Sequence, residues 1–324
     1  MKKIVIIGAG QLGSRHLQAL SKIRFPVQIE VVDTIPASLE TAKIRFEEMP
    51  NNLNVRAVKY LTSIQQLSKN IDFAIIATNA DVRADVVRAL LRLCDVQNIL
   101  LEKVLFQKPD DYLQIYELLQ EKNVKAWVNH PRRQFPFYKQ LKNQLAGSKQ
   151  ISYQLQGGGW GLACNGLHMI DHLAFLSGES TLEISGAGLN PSIIQSKRKG
   201  FVEFSGALHG QVGHHPFSLY CHQELSPETI TICSDNLNVI VDEANGWIRF
   251  ASKENGWKWE EKKERIISYQ SELTNLVAED VLNSGKCDLP TYDEAVKLHL
   301  PFIRCLMRHI EQVENNKHDL CPIT

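Results

Sequence analysis

The chain opens Lys2-Lys3-Ile4-Val5-Ile6-Ile7-Gly8-Ala9-Gly10-Gln11-Leu12-Gly13. A charged start, a four-residue apolar run and glycines at the first, third and sixth places of G-x-G-x-x-G predict a buried parallel strand turning tightly into a helix. Gly8 permits the turn, Gly10 keeps side-chain bulk away from an approaching anion, and Gly13 lets helix and strand lie close. Leu12, His16, Leu17 and Leu20 continue a mostly apolar stripe at helical spacing, and Val27 to Val32 supply a second strand ending in Asp33. That spacing suits a dinucleotide, the plainer alternative being an ordinary tight strand-to-helix turn with an incidental Asp. The dinucleotide's pyrophosphate would sit at the helix N-terminus, where the N–H groups of Gln11 and Leu12 and the positive dipole end favour an anion. An acidic residue at the end of the second strand accepts hydrogen bonds from an adenosine ribose and repels a 2′-phosphate, so Asp33 favours NAD over NADP.

Strand and helix signals then alternate as far as residue 128. Helix is expected at Pro36 to Met49, Asp81 to Cys94 and Asp110 to Lys122, and strand at Val55 to Tyr60, Asp72 to Ala77, Asn98 to Leu101 and Val124 to Val128. The fold class is therefore α/β over residues 1–128, a doubly wound parallel sheet of Rossmann type. Its ligand belongs at the strand C-terminal ends, where Gly8, Asp33, Thr78, Asn79, Glu102 and Asn129 fall. Residues 129–324 follow another grammar, with strands succeeding one another through short turns. They are expected at Gln150 to Gln156, Val202 to Gln211, Phe217 to Gln223, Thr229 to Cys233, Asn238 to Asp242 and Trp247 to Ala251. With helices at Gly166 to Leu176, Ser268 to Asn283 and Tyr292 to Val313, this half reads as an α+β domain on a mostly antiparallel open sheet, the substrate half of a cleft.

Lys plus Arg and Asp plus Glu number 36 each, so no basic field points to nucleic acid. No apolar run reaches the 18 residues of a membrane span, and seven cysteines without a C-x-x-C pair fit a reducing cytoplasm.

Two stretches carry candidate chemistry. Glu102-Lys103-Val104 stands where the fifth strand ends; Lys103 there could polarise a substrate hydroxyl or carbonyl, or could belong to a solvated pair. Gly157-Gly158-Gly159-Trp160-Gly161 spends backbone entropy in a way that usually lets something approach closely. His168, Asp171 and His172 follow at helical spacing; His168, in the first turn, suits reversible proton transfer, with a capping or core histidine as the plainer alternative. Asn165 could orient a hydroxyl, and Arg132 with Arg133 and Lys139 would suit an anionic substrate or a solvated first turn. His209, His214, His215, Cys221 and His222 match no standard zinc spacing, and no metal site is expected.

Taken together, Gly8-Ala9-Gly10-x-x-Gly13, Ala77-Thr78-Asn79, Glu102-Lys103 and Gly166-x-His168-x-x-Asp171 followed by Leu176-x-Gly178 resemble the glucose-fructose oxidoreductase, inositol dehydrogenase and MocA (Gfo/Idh/MocA) superfamily, in order along essentially the whole chain. The resemblance implies NAD-dependent hydride transfer to or from a hydroxyl-bearing carbon of a sugar, cyclitol, sugar acid or nucleotide sugar, with a nicotinamide-binding regulator lacking turnover as the alternative. It implies Lys103 on the reacting oxygen, His168 as general acid or base, Asn165 beside it, and Trp160, Arg132, Asp171 and His172 around the substrate. It also implies a homo-oligomer, dimer or tetramer, formed through the C-terminal sheet. The chain departs from the usual pattern at Val104, where a proline is common, at Asn79, and at Cys164, where many members carry an aspartate.

Overall fold

The computed structural model describes residues 1–324. β1 (Lys2–Ile7) turns into α1 (Gln11–Leu20), and β2 (Val27–Val32) into α2 (Pro36–Glu47). There follow β3 (Val55–Leu61), β4 (Asn70–Ile71), β5 (Phe73–Ile76), α3 (Ala80–Leu93), β6 (Asp95–Val96), β7 (Asn98–Leu101), α4 (Pro109–Glu121) and β8 (Lys125–Val128). Six of these strands form one parallel sheet in the order β3-β2-β1-β5-β7-β8. Ile4, Val5 and Ile6 of β1 and all of β5 are fully buried, which is why these strands read as unbroken apolar runs and not as alternation. The order in which strands are added reverses between β1 and β5, and because all strands are parallel Gly8, Asp33, Thr78, Glu102 and Asn129 follow strand ends on the same, C-terminal side of the sheet.

The second half contributes α5 (Pro136–Leu145), β9 (Ile151–Gly158), α6 (Leu162–Ser177), β10 (Leu182–Leu189), β11 (Ile194–Gln195) and β12 (Val202–Glu203). β13 (Gly206–Val212), β14 (His215–His222), β15 (Ser226–Ser234), β16 (Leu237–Asp242), β17 (Trp247–Ser252) and β18 (Glu260–Lys263) come next, then α7 (Gln270–Ser284) and α8 (Tyr292–Glu314). An eight-stranded sheet runs β10-β13-β14-β9-β15-β16-β17-β18, antiparallel throughout except where β9 lies parallel to β14. Along β14 buried and exposed residues alternate, as a sheet covered on one face demands. α6 is buried along most of its length, and α8 comes so close that a Cβ on Gly166 would stand 3.1 Å from the Phe302 ring.

The chain divides into two compact units. The first holds Met1–Phe106, Asp110–Pro131 and, late in the sequence, Ser268–Asp293; the second holds Gln107–Pro109, Arg132–Ile267 and Glu294–Thr324. The return of 268–293 departs from the expected single boundary at residue 128. Its cause is local: Val277, Ala278 and Val281 of α7 join the core of β1, β2 and α1, and Arg24 bonds Glu279 through Nε at 2.6 Å. The strand expected from Val202 to Gln211 is instead two. β12 pairs with β11 outside the main sheet, and the chain re-enters it at Gly206, whose φ of +104° suits glycine. α5 and β10 fall where no element was expected. Glycines at 186 and 188 obscure the strand, whereas Pro136 at the first helical turn with Tyr138, Leu141 and Leu145 buried at i, i+3 and i+7 was a readable helix signal. No helix is long and apolar enough to cross a membrane.

Candidate functional site

In the first unit the glycine turn is built as its spacing requires. Gly8 has φ of +96°, and a Cβ there would lie 2.9 Å from the backbone of Ala77 and Thr78. A Cβ on Gly13 would meet the Gly8 carbonyl oxygen at 1.7 Å, so α1 and β1 can touch only with glycine there. Around Gly10 the opposite holds: nothing lies within 4 Å of where its Cβ would be. Gly10 caps α1 without a side-chain hydrogen bond, leaving the first-turn amides of Gln11 and Leu12 with no side-chain cap. Open space, uncapped amides and a helix dipole form a cradle that fits a pyrophosphate.

Asp33 stands beside this cradle, its Oδ2 accepting from Ala9 N at 2.7 Å and its Oδ1 from Ile35 N at 2.9 Å. Each oxygen keeps a further lone pair for a ribose hydroxyl. Arg45 of α2, which sequence reasoning passed over, donates to Gln11 Oε1 at 2.8 Å and to Ser14 Oγ at 2.6 Å and so ties α2 to the first turns of α1. Asn79 is exposed at the N-terminus of α3, and the Thr78 carbonyl accepts from the buried guanidinium of Arg83.

Glu102 faces inward. Its Oε1 lies 2.9 Å from His16 Nε2 and 2.5 Å from Asn129 Nδ2; His16 Nδ1 meets Thr274 Oγ1 at 2.8 Å, and Asn129 also donates to Gln270 Oε1. Burial pushes the Glu102 carboxyl up, but the hydrogen bond and charge of His16, the Asn129 bond and the Arg83 charge outweigh it, and the group titrates below the usual carboxylate range. Its carboxylate therefore locks α1, β7, β8 and α7 together behind the cradle, where a direct cofactor ligand was expected. Lys103 beside it is half-buried, and the Lys103–Val104 peptide is cis. Arg83, unforeseen from the sequence, also donates to the carbonyls of Val104 and Leu105 and thereby fixes the segment on which Lys103 sits.

In the second unit α6 presents a short accessible stripe. Cys164, Asn165 and His168 are half-buried while Leu162, Ala163, Gly166, Leu167 and Met169 are buried. Asn165 Nδ2 donates to the Trp160 carbonyl at 2.5 Å, and Trp160 Nε1 to the Tyr220 carbonyl at 3.0 Å. The Glu203 carboxylate caps the helix, accepting from Ala163 N at 2.8 Å and Cys164 N at 3.0 Å. One turn past His168 the stripe ends.

Two residues expected around the substrate, Asp171 and His172, lie inside the protein, and a third, Arg132, is held by a carboxylate, contrary to the expectation. Asp171 is bound at both oxygens by Arg133, at 2.7 and 2.9 Å. His172 is fully buried, its Nδ1 3.1 Å from the Tyr153 hydroxyl and its ring 3.9 Å from that of Tyr138. Burial and the charge of Arg132 hold the His172 imidazole well below its usual range, hence neutral. Arg132 grips Glu243 through Nε at 2.9 Å and Nη2 at 2.6 Å. Helical spacing puts Asp171 and His172 on the packed side of α6, a fact that residue type alone does not reveal. The glycine run also differs from expectation: what approaches Gly158 is the protein itself, since a Cβ would strike the Glu224 carbonyl oxygen at 1.9 Å and the His222 ring at 2.3 Å.

Residues 2–130 match the family described as oxidoreductase family, NAD-binding Rossmann fold (Gfo/Idh/MocA). No curated protein matches the chain in sequence. Among solved structures the chain is similar to a Gfo/Idh/MocA family oxidoreductase from Vibrio cholerae, at 16% identity and TM-score 0.69, covering 98% of this chain and 100% of that one. It is similar to an oxidoreductase from Agrobacterium radiobacter in complex with NAD+, L-tartaric acid and magnesium, at 12% identity and TM-score 0.70, covering 93% and 94%. The transcriptional regulator Gal80p from Kluyveromyces lactis is also similar, at 15% identity and TM-score 0.71, covering 96% and 92%. At these identities the structural likeness establishes the fold. The glycine cradle, the parallel sheet and the family match agree that residues 2–130 form an NAD-binding Rossmann domain similar to that of the Gfo/Idh/MocA oxidoreductases.

Proposed function

We propose that the protein is an NAD(H)-dependent oxidoreductase acting on a hydroxyl-bearing carbon of a carbohydrate-like small molecule. The observation that carries this reading is the cradle at Gly8, Gly10 and Gly13 with Asp33 at its side. The amides of Gln11 and Leu12 would hold the pyrophosphate, and Asp33 the adenosine ribose, where its negative charge disfavours a 2′-phosphate. A bound nicotinamide supplies a site that accepts or donates a hydride. Lys103 would hydrogen-bond the reacting oxygen, and His168, on the accessible stripe of α6, would take or return its proton. A second reading, a nicotinamide-binding regulator without turnover, is favoured by Cys164 one turn before His168, which supplies a thiol where a carboxylate is usual, and by the likeness to Gal80p.

Titration with NADH and NADPH, read by tryptophan fluorescence, tests the first claim. NADH is expected to bind at least tenfold more tightly, about 1.4 kcal/mol; failure of both to bind removes the oxidoreductase reading. Lys103→Ala and His168→Ala are expected to lower kcat by about 10²- to 10⁴-fold with NADH affinity unchanged. A wild-type protein that binds NADH but turns over no polyol, sugar acid or nucleotide sugar would favour the regulator.

A further inference from the structure

We propose that the cavity at the N-terminal end of α6 is an anion-selective subsite for a monosaccharide-sized, polyhydroxylated ligand whose acidic group is held by Lys197 and Arg198. The proposal rests on the carbohydrate-oxidoreductase reading and specifies the substrate class that reading leaves open. The cavity, about 370 Å³, is enclosed wholly by residues of the second unit. That volume lies within the ~300–1,000 Å³ common for small-molecule sites.

The charges lining it are unevenly committed. Glu203 contributes a carboxylate to the wall, where it caps α6, one oxygen accepting from the Ala163 amide and the other from the Cys164 amide, and the positive end of the helix dipole partly offsets its charge. Lys197 and Arg198 sit at the tip of the β11–β12 hairpin, line the same cavity, are exposed and make no ion pair. Two cations without counter-ions at the rim of a mostly apolar cavity define a place for a carboxylate or phosphate, Arg198 with a planar fork and Lys197 as a point charge.

The rest of the wall fits hydroxyl groups. Asn165 and Ser205 line it, and Trp160, its indole tethered to the Tyr220 carbonyl, adds a rigid apolar surface of the kind that sugar C–H faces pack against. Asn165 and Cys164 share the α6 stripe with His168, three and four residues away, so the cavity adjoins the proposed proton-transfer residue. The expected anion-binding cations, Arg132 and Arg133, are each closed off by a carboxylate. Lys197 and Arg198 take their place.

The test is calorimetric titration of the full-length protein with glucuronate, glucose 6-phosphate and neutral glucose, with and without NADH. At least one anion is expected to bind tenfold or more tightly than glucose, and comparison of the two tells carboxylate from phosphate recognition. Lys197→Ala/Arg198→Ala, confined to an exposed hairpin tip, is expected to erase that preference and leave NADH affinity unchanged. Alkylation of Cys164 by iodoacetamide is expected to slow when the preferred anion is present, which places the ligand in this cavity. Equal binding of anions and glucose, binding of none of the three, or a preference that survives the double substitution overturns the subsite. A wild-type protein that binds the anion but not NADH keeps the subsite and overturns the cofactor reading.

Discussion

At Gly13 the Cβ of any other residue would lie 1.7 Å from the Gly8 carbonyl oxygen, whereas at Gly10 it would meet nothing within 4 Å. Two glycines of one motif thus serve different ends, the first packing and the second access. Gly13→Ala is expected to destabilise the protein by about 3 kcal/mol or more, because backbone and not a mobile side chain must yield. Gly10→Ala is expected to unfold at the wild-type denaturant concentration yet bind NADH at least tenfold more weakly, since the methyl group would occupy space needed by phosphate. Urea denaturation followed by NADH titration separates the two outcomes; equal stability loss in both variants would sink the distinction. Lys103 depends on its neighbours in the same way, because Arg83 holds the carbonyls of Val104 and Leu105 and Glu102 is anchored to His16.

Among the elements, the largely buried Arg132–Glu243 pair joins the segment entering α5 to the turn after β16, with the Tyr138 hydroxyl donating to the same carboxylate at 2.6 Å. Burial pushes the Glu243 carboxyl up, but Arg132 and Tyr138 more than reverse this and keep it ionised. Removing one charge strands the other away from water. Glu243→Leu is therefore expected to cost about 3–5 kcal/mol, and Arg132→Met in addition to restore much of that loss. A double-mutant cycle in urea measures the coupling; additive losses would show that the pair holds nothing together. α6 shows how an element divides its work. Cys164, Asn165 and His168 reach the accessible side, while Asp171 and His172 pack inward against Arg133 and Tyr138.

For the whole molecule, pH acts through the fully buried His172. Burial and Arg132 depress its folded pKa well below 6.5, with Arg133 adding to this and Asp171 opposing it. The unfolded chain takes up the proton first as pH falls, so the stability contributed by neutral His172 is complete above about 6.5 and is lost as pH drops toward the folded value. Between about pH 7.5 and 5.5 the wild type is expected to lose about 1.4 kcal/mol more than His172→Gln. Urea midpoints at the two pH values measure this; parallel losses in both proteins would assign the acid sensitivity elsewhere.

Local chemistry suffices for what was legible in the chain itself. Glycine spacing, unbroken apolar runs and the acidic strand end specify the parallel sheet and its dinucleotide cradle, because strand burial and close backbone approach leave their mark on neighbouring residues. The turn to short strands after residue 130 was equally readable from alternation. Tertiary structure alone decided the return of α7 to the first unit, since the helix reads the same whichever core it joins. It also decided which charges face a ligand: Arg132 and Lys197 are both cations in polar stretches, and only the distant Glu243, folded against the first and not the second, makes one an internal strut and leaves the other open.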